Sequence, residues 1–181
     1  RFLDRLDPED IAAITAQAYV EMLETGYTRV GEFHYLHNAP DGQRYDAPEA
    51  TAVAIVEAAR QAGIGLTLLP VFYAHADFGG TPPAPGQRRF ISDLDGFARL
   101  VEASEKLLGG DDRIGIAPHS LRAVTPDELS HLIALRPGAP MHIHAAEQTR
   151  EVDACVAHLA ARPVEWLLAN AEVDARWCLV H

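Results

Sequence analysis

Residues 64–73, IGLTLLPVFY, hold a single polar side chain, Thr67, before the closing tyrosine. A strand with one wet face alternates apolar and polar residues, whereas a nearly continuous apolar run reads as a strand covered on both faces. The flanking sequence agrees with that reading. Upstream, APEATAVAIVEAARQAG (47–63) reads as a helix closed by Gly63, and YTRVGEFHY (27–35) as a second strand. Before it, PEDIAAITAQAYVEMLETG (8–26) follows Asp7, a cap with proline at the first helical position. Downstream, the rhythm is interrupted by AHADFGGTPPAPGQRRF (74–90), rich in glycine and proline, and then resumes. SDLDGFARLVEASEKLLGG (92–110) is a helix with Ser92 or Asp93 near its cap, RIGIAPH (113–119) a strand, and TPDELSHLIAL (125–135) a helix capped by Thr125. MHIHA (141–145) is a strand, 149–160 and 163–171 are helical pieces split by Pro163, and RWCLVH (176–181) is a last strand.

Strands separated by helical sequence predict a parallel sheet with crossover helices. A doubly wound sheet and a (β/α)8 barrel both satisfy that pattern. No GxGxxG or GxxxxGK[ST] stands after a strand, so the phosphate-binding turns of doubly wound nucleotide folds are missing. Five strands in 181 residues, against the ~250 of a closed eight-unit barrel, are expected to be an interior part of one barrel domain, roughly strands two to six.

Composition narrows the function. Hydrophobic residues make up 48% of the chain, enough for a core. A formal charge of −11 with no basic stripe argues against nucleic acid or an anionic membrane surface as partner. No apolar run approaches the ~20 residues of a membrane span, and no signal-like segment opens the chain. Cys155 and Cys178 are too few and too far apart for a disulfide framework or a cysteine-based zinc site. A cytoplasmic protein acting on a small molecule is the expectation.

Polar residues fall at the predicted strand ends: His34 and Tyr35, Tyr73 and His75, His119, His144, and His181. Parallel barrels place their chemistry at that face, using side chains from several strands. His131 and His158 read as mid-helix surface or packing residues, and His37 as a loop residue without a role. In MHIHAAEQ (141–148), His142 and His144 share a strand face, and Glu147 follows just beyond the strand end. Imidazole and carboxylate together suit metal-assisted hydrolysis, one as ligand and the other as proton carrier. Two core histidines beside a capping glutamate are the structural alternative. His142 lies roughly 6–7 Å deeper than His144 and is read as an interior hydrogen-bonding residue in preference to the second ligand of a His-x-His metal pair. Tyr73 is read as rim packing. Residues 74–90 exceed the usual two to six of a βα connection and suggest a lid, with Arg88 or Arg89 either drawing in an acidic substrate or simply solvated.

The segments TGYTRVGEFHYLHN, GQRRFI, GIAPHSLRAV, MHIHAAEQTREVDAC and RPVEWLLANAEVDARWCLVH resemble the formimidoylglutamate deiminases of the amidohydrolase superfamily. The resemblance implies a partial TIM (β/α)8 barrel and a zinc-dependent deimination of N-formimino-L-glutamate, a step of histidine degradation. It implies that His144 is a zinc ligand. Glu147 would be the proton shuttle from attacking water to departing ammonia, and His181 would orient that water and stabilise developing charge. Tyr35, His119 and Arg122 would line the substrate pocket, the last two holding carboxylates. The superfamily's first-strand His-x-His pair and late aspartate ligand have no counterpart here, which leaves the zinc shell incomplete. A homodimer is compatible with the resemblance. The rival readings are another deaminase of the superfamily, acting on a nucleobase or related C=N group, and a non-catalytic scaffold.

Overall fold

The computed structural model describes residues 2–181. Helices α1 (Pro8–Glu24), α2 (Ala50–Ala62), α3 (Leu94–Glu105), α4 (Pro126–Leu135), α5 (Thr149–Leu159) and α6 (Pro163–Asn170) alternate with strands. The strands are β1 (Arg29–His34), β2 (Gly65–Phe72), β3 (Arg113–Ile114), β4 (Ala117–Pro118), β5 (Met141–His144) and β6 (Trp177–Val180). All strand pairs are parallel: β1 on β2, β2 on both β3 and β4, and β5 on β6. Backbone bonds from Ile116 to the Pro140 carbonyl (2.9 Å) and from His142 to the Ile116 carbonyl (3.0 Å) join the two groups of strands. The result is an α/β arrangement in which neighbouring strands follow chain order.

Local chemistry sets the element ends. Asp7 and Asp10 form a reciprocal capping box at α1, and Thr125 with Glu128 does the same at α4. Asp93, not Ser92, caps α3 through the Gly96 N–H. Gly63 ends α2 in the left-handed conformation (φ +82°), which suits a residue without Cβ.

One expectation needs correcting. RIGIAPH is not one strand but two short ones, β3 and β4, with Gly115 and Ile116 between them. Gly115 donates to the Leu68 carbonyl at 2.8 Å, and a Cβ there would stand 2.5 Å from Leu69 Cδ2 and 2.8 Å from the Pro140 oxygen. The chain steps in close to β2 at this point, which interrupts regular pairing, and only glycine fits.

Side-chain direction divides the sheet into two faces. Leu66, Leu68, Phe72, Ile114, Ile116, Met141 and Ile143 join the large apolar core with residues of the helices. Leu69, Val71 and Ala117 form a smaller cluster on the opposite face, with Phe33 and Tyr35 packed against it. The doubly covered reading of β2 therefore holds, since Leu66 and every residue from Leu68 to Phe72 is buried.

Candidate active site

The second face leads to the carboxyl ends of the strands. His119 follows β4, His144 closes β5, and His181 follows β6. The His144 ring lies 5.4 Å, centroid to centroid, from His119 and 5.5 Å from His181, the latter nearly parallel at 24°. Three of the expected strand-end imidazoles thus meet.

Two do not. His34 is buried on the helix side, with Nε2 2.9 Å from Thr51 Oγ1 of α2. Its neighbour Glu32 faces the same way and accepts from Tyr19 of α1. Alternation along β1 therefore sends Phe33 and Tyr35, not His34, to the site face. His75 is drawn aside by Glu128, whose two carboxylate oxygens lie 2.9 and 3.1 Å from its Nε2. His142 shares a face with His144, but packs edge-on to Phe33 at 5.7 Å with no hydrogen-bond partner among the described residues. The expected interior hydrogen bond is therefore missing: the half-buried ring meets Phe33 and stands beside Gly31, neither of which offers it a side-chain polar group.

A cleft of about 530 Å³ opens above this face, lined by Tyr73, His119, Arg122, His144, Glu147 and Glu151, among others. Its roof comes from 74–92, which leaves β2 and returns to it, Ser92 N–H bonding the Tyr73 carbonyl at 3.1 Å. Ala76, Asp77, Phe78 and Gln87 from this excursion face α5 across the cleft. Glu147 sits exposed on the bend between β5 and α5.

The hydrogen bonds around His119 fix proton positions. Arg122 Nη2 lies 2.8 Å from His119 Nε2, and a guanidinium can only donate. Nε2 therefore accepts, and the proton of a neutral His119 is on Nδ1, which donates to the Tyr35 hydroxyl at 2.9 Å. Burial, then the Arg122 charge, then His144 hold His119 down to about 3, so it is neutral at ordinary pH. Burial, followed by Tyr73, pushes Tyr35 up to about 12, which keeps its proton on oxygen. His144 Nδ1 donates to the His119 main-chain carbonyl at 3.2 Å, leaving its Nε2 with a free lone pair. Burial lowers the His144 basicity as well. A neutral imidazole with an outward lone pair is the form that binds metal.

Arg122 is fixed from several sides. Nη1 donates to Tyr73 Oη (2.9 Å) and to the Ala76 carbonyl (3.2 Å), and Nε stands 3.8 Å from Glu151. Tyr73 also stacks on His119 at 4.7 Å and accepts from Gln87 Nε2 at 2.8 Å, so its reading as mere packing is incomplete. Nothing in the sequence marks Gln87. Of the two loop arginines, Arg89 is buried, holding the carbonyls of Asn38 and Leu3, and Arg88 pairs with Asp4. Arg89 therefore draws in no substrate. It stitches together the segments that carry Leu3, Asn38 and Phe90.

No three His, Cys, Asp or Glu side chains converge as a metal-holding group among the described residues. His144 has the free lone pair a metal needs, so these residues fit a contributing share of a metal shell and not the whole of it.

Parallel strands that bring imidazoles, a carboxylate and a tethered arginine to their carboxyl ends make an α/β domain with a polar cleft at that rim. The chain belongs to the amidohydrolase family, whose sequence pattern matches residues 1–175. It is 48% identical over 183 residues to a formimidoylglutamate deiminase of Pseudomonas aeruginosa, covering 100% of this chain and 40% of that protein. A 5-methylthioadenosine/S-adenosylhomocysteine deaminase of Natronomonas pharaonis is 32% identical over 89% of this chain and 32% of its own length. A crystal structure of an amidohydrolase from Brucella melitensis superposes with a TM-score of 0.98 at 55% identity, covering 99% of this chain and 41% of that one. An adenosine deaminase from Xanthomonas campestris with bound zinc shares the fold, at TM-score 0.73 and 22% identity, over 97% of this chain and 35% of its own. The chain thus spans about two fifths of the first curated relative's length. No helix among the described residues is long and apolar enough to cross a membrane.

Proposed function

We propose that this chain is the interior part of a (β/α)8 barrel, strands two to six, in a cytoplasmic zinc-dependent enzyme that hydrolyses N-formimino-L-glutamate to N-formyl-L-glutamate and ammonia. The observation that carries the reading is the Tyr35–His119–Arg122 chain of hydrogen bonds beside His144, Glu147 and His181. On this reading an anion-recognising group stands next to a hydrolytic one. Likeness over the whole chain to a formimidoylglutamate deiminase supports the same substrate.

His144 would supply one zinc ligand through Nε2, with the remaining ligands from the rest of the enzyme. Bound zinc would supply positive charge and lower the pKa of a nearby water to roughly 7. Glu147 accepts a proton from the attacking water and delivers it to the substrate nitrogen. As water adds to the formimino carbon the C=N bond becomes single; Glu147 then carries the proton of the new hydroxyl to the same nitrogen, so that the C–N bond breaks, ammonia leaves and the C=O of the formyl group forms. His181, stacked on His144, orients the water and steadies charge that develops at the reacting carbon. Arg122 uses three of its five N–H groups in hydrogen bonds to the protein; the other two, one on Nη2 and the Nε–H that stands 3.8 Å from Glu151, would turn to a substrate carboxylate. Tyr35 keeps its O–H free, because its oxygen already accepts from His119.

The test is ammonia release by the full-length protein from N-formimino-L-glutamate, against adenosine and guanine as alternatives. Activity on formiminoglutamate, lost under a chelator and restored by zinc, is the expected result. Turnover of a nucleobase substrate instead, or no turnover of any, would overturn the proposal.

A further inference from the structure

We propose that Tyr73 is a further substrate-binding residue, whose O–H donates to a carboxylate of the ligand, and that Gln87 is the positioning residue that keeps that hydroxyl a donor. The inference rests on the reading above in one respect, that the substrate is an acid.

Arg122 Nη1, an obligate donor, lies 2.9 Å from Tyr73 Oη. Gln87 Nε2 lies 2.8 Å from the same oxygen. The orientation of the Gln87 amide is settled by its other end, since Oε1 accepts the Ala84 N–H at 2.7 Å. Both lone pairs of the Tyr73 oxygen are therefore taken by incoming N–H groups. Its own proton has to point elsewhere, and no described residue accepts it.

Tyr73 lines the cleft and stacks on His119, whose other side carries the Tyr35 hydroxyl. Tyr35 likewise accepts, from His119 Nδ1, and no described residue accepts its proton. Two phenolic O–H groups thus flank one imidazole, with Arg122 holding both in place, one directly and one through His119. Unpaired donors grouped around a fixed cation recognise an anion better than a neutral base. Gln87 arrives from the roof of the cleft, so Tyr73 is oriented from above as well as from the side.

The experiment uses the full-length, zinc-loaded enzyme with N-formimino-L-glutamate. Hydrogen bonds to charged groups of this kind support a rise in KM of about 10- to 100-fold for Tyr73→Phe, with kcat, melting temperature and zinc content near wild type. Gln87 gives a second, sharper probe. Gln87→Glu keeps the Ala84 contact but offers Tyr73 an acceptor, turning the hydroxyl away from the ligand. It is expected to raise KM about as much as Tyr73→Phe, and the double variant to be no worse than either alone. Gln87→Ala frees the hydroxyl to rotate and is expected to raise KM about three- to tenfold, between wild type and Gln87→Glu. A Tyr73→Phe KM within twofold of wild type, an equal loss of kcat and stability, or a Gln87→Glu effect that adds to Tyr73→Phe would each overturn the assignment. An inactive wild-type enzyme would instead remove the substrate reading, and the inference with it.

Discussion

Arg122→Ala in the full-length enzyme is the most informative single change. It removes a guanidinium whose side chain is only 30% exposed and whose position is set by Tyr73, Ala76 and His119. Two N–H groups remain for the substrate, and charge-assisted hydrogen bonds contribute about 1.5–3 kcal/mol each when fully formed. Partial exposure screens part of that, so a total near 2–4 kcal/mol follows for the transition state. At about 1.4 kcal/mol per tenfold, kcat/KM should fall roughly 30- to 1000-fold. Arg122→Lys keeps the charge but cannot reach Tyr73 and His119 together, and should fall between the two. Steady-state ammonia release reads all three proteins, with zinc content and melting temperature as controls. Arg122→Ala within threefold of wild type would refute the anion-binding role.

Other outcomes follow from the same geometry. His144→Ala should lower the zinc bound per full-length subunit, whereas Glu147→Gln should keep the metal and reduce kcat steeply, since the amide has the shape without the proton affinity; metal analysis beside single-turnover rates separates the two, and unchanged zinc in His144→Ala would sink the ligand role. Gly115→Ala should destabilise the fold by about 1–3 kcal/mol through overpacking against Leu69 and the Pro140 carbonyl, seen as a lower denaturant midpoint; an unchanged midpoint would mean the β3–β4 step relaxes freely. Burial, and for His34 the charge of His37 as well, hold these two imidazoles below their usual range, His37 at about 4. The unfolded chain then binds more protons below pH ~6.5, so stability should fall as pH drops from there toward 4, by about 1.4 kcal/mol per pH unit for each imidazole. A melting temperature flat from pH 7 to 5 would contradict this.

Periodicity and caps made the α/β order readable from residues alone, because a doubly buried strand and an Asp-Pro or Thr-Pro helix start are local signals. The site was partly readable for a related reason. Residues after parallel strands gather at one rim, and His119, His144 and His181 do so. His34 misled because it and Tyr35 are adjacent, and a one-residue difference in alternation decides which of them faces the helices. His75 misled because its partner, Glu128, lies 53 residues away on another element. Gln87 and Arg89 were illegible for the same physical reason: a long excursion from the sheet folds back through contacts that no spacing encodes.

His119 bonds its three neighbours through different parts of itself. Its ring engages Tyr35 and Arg122, while its main-chain oxygen receives both the backbone N–H and the ring Nδ1 of His144. Any amino acid at that position retains a carbonyl. Exchanging the side chain would thus alter the lining of the cleft yet leave the His144 imidazole anchored, so this rim can change what it recognises without moving its neighbour.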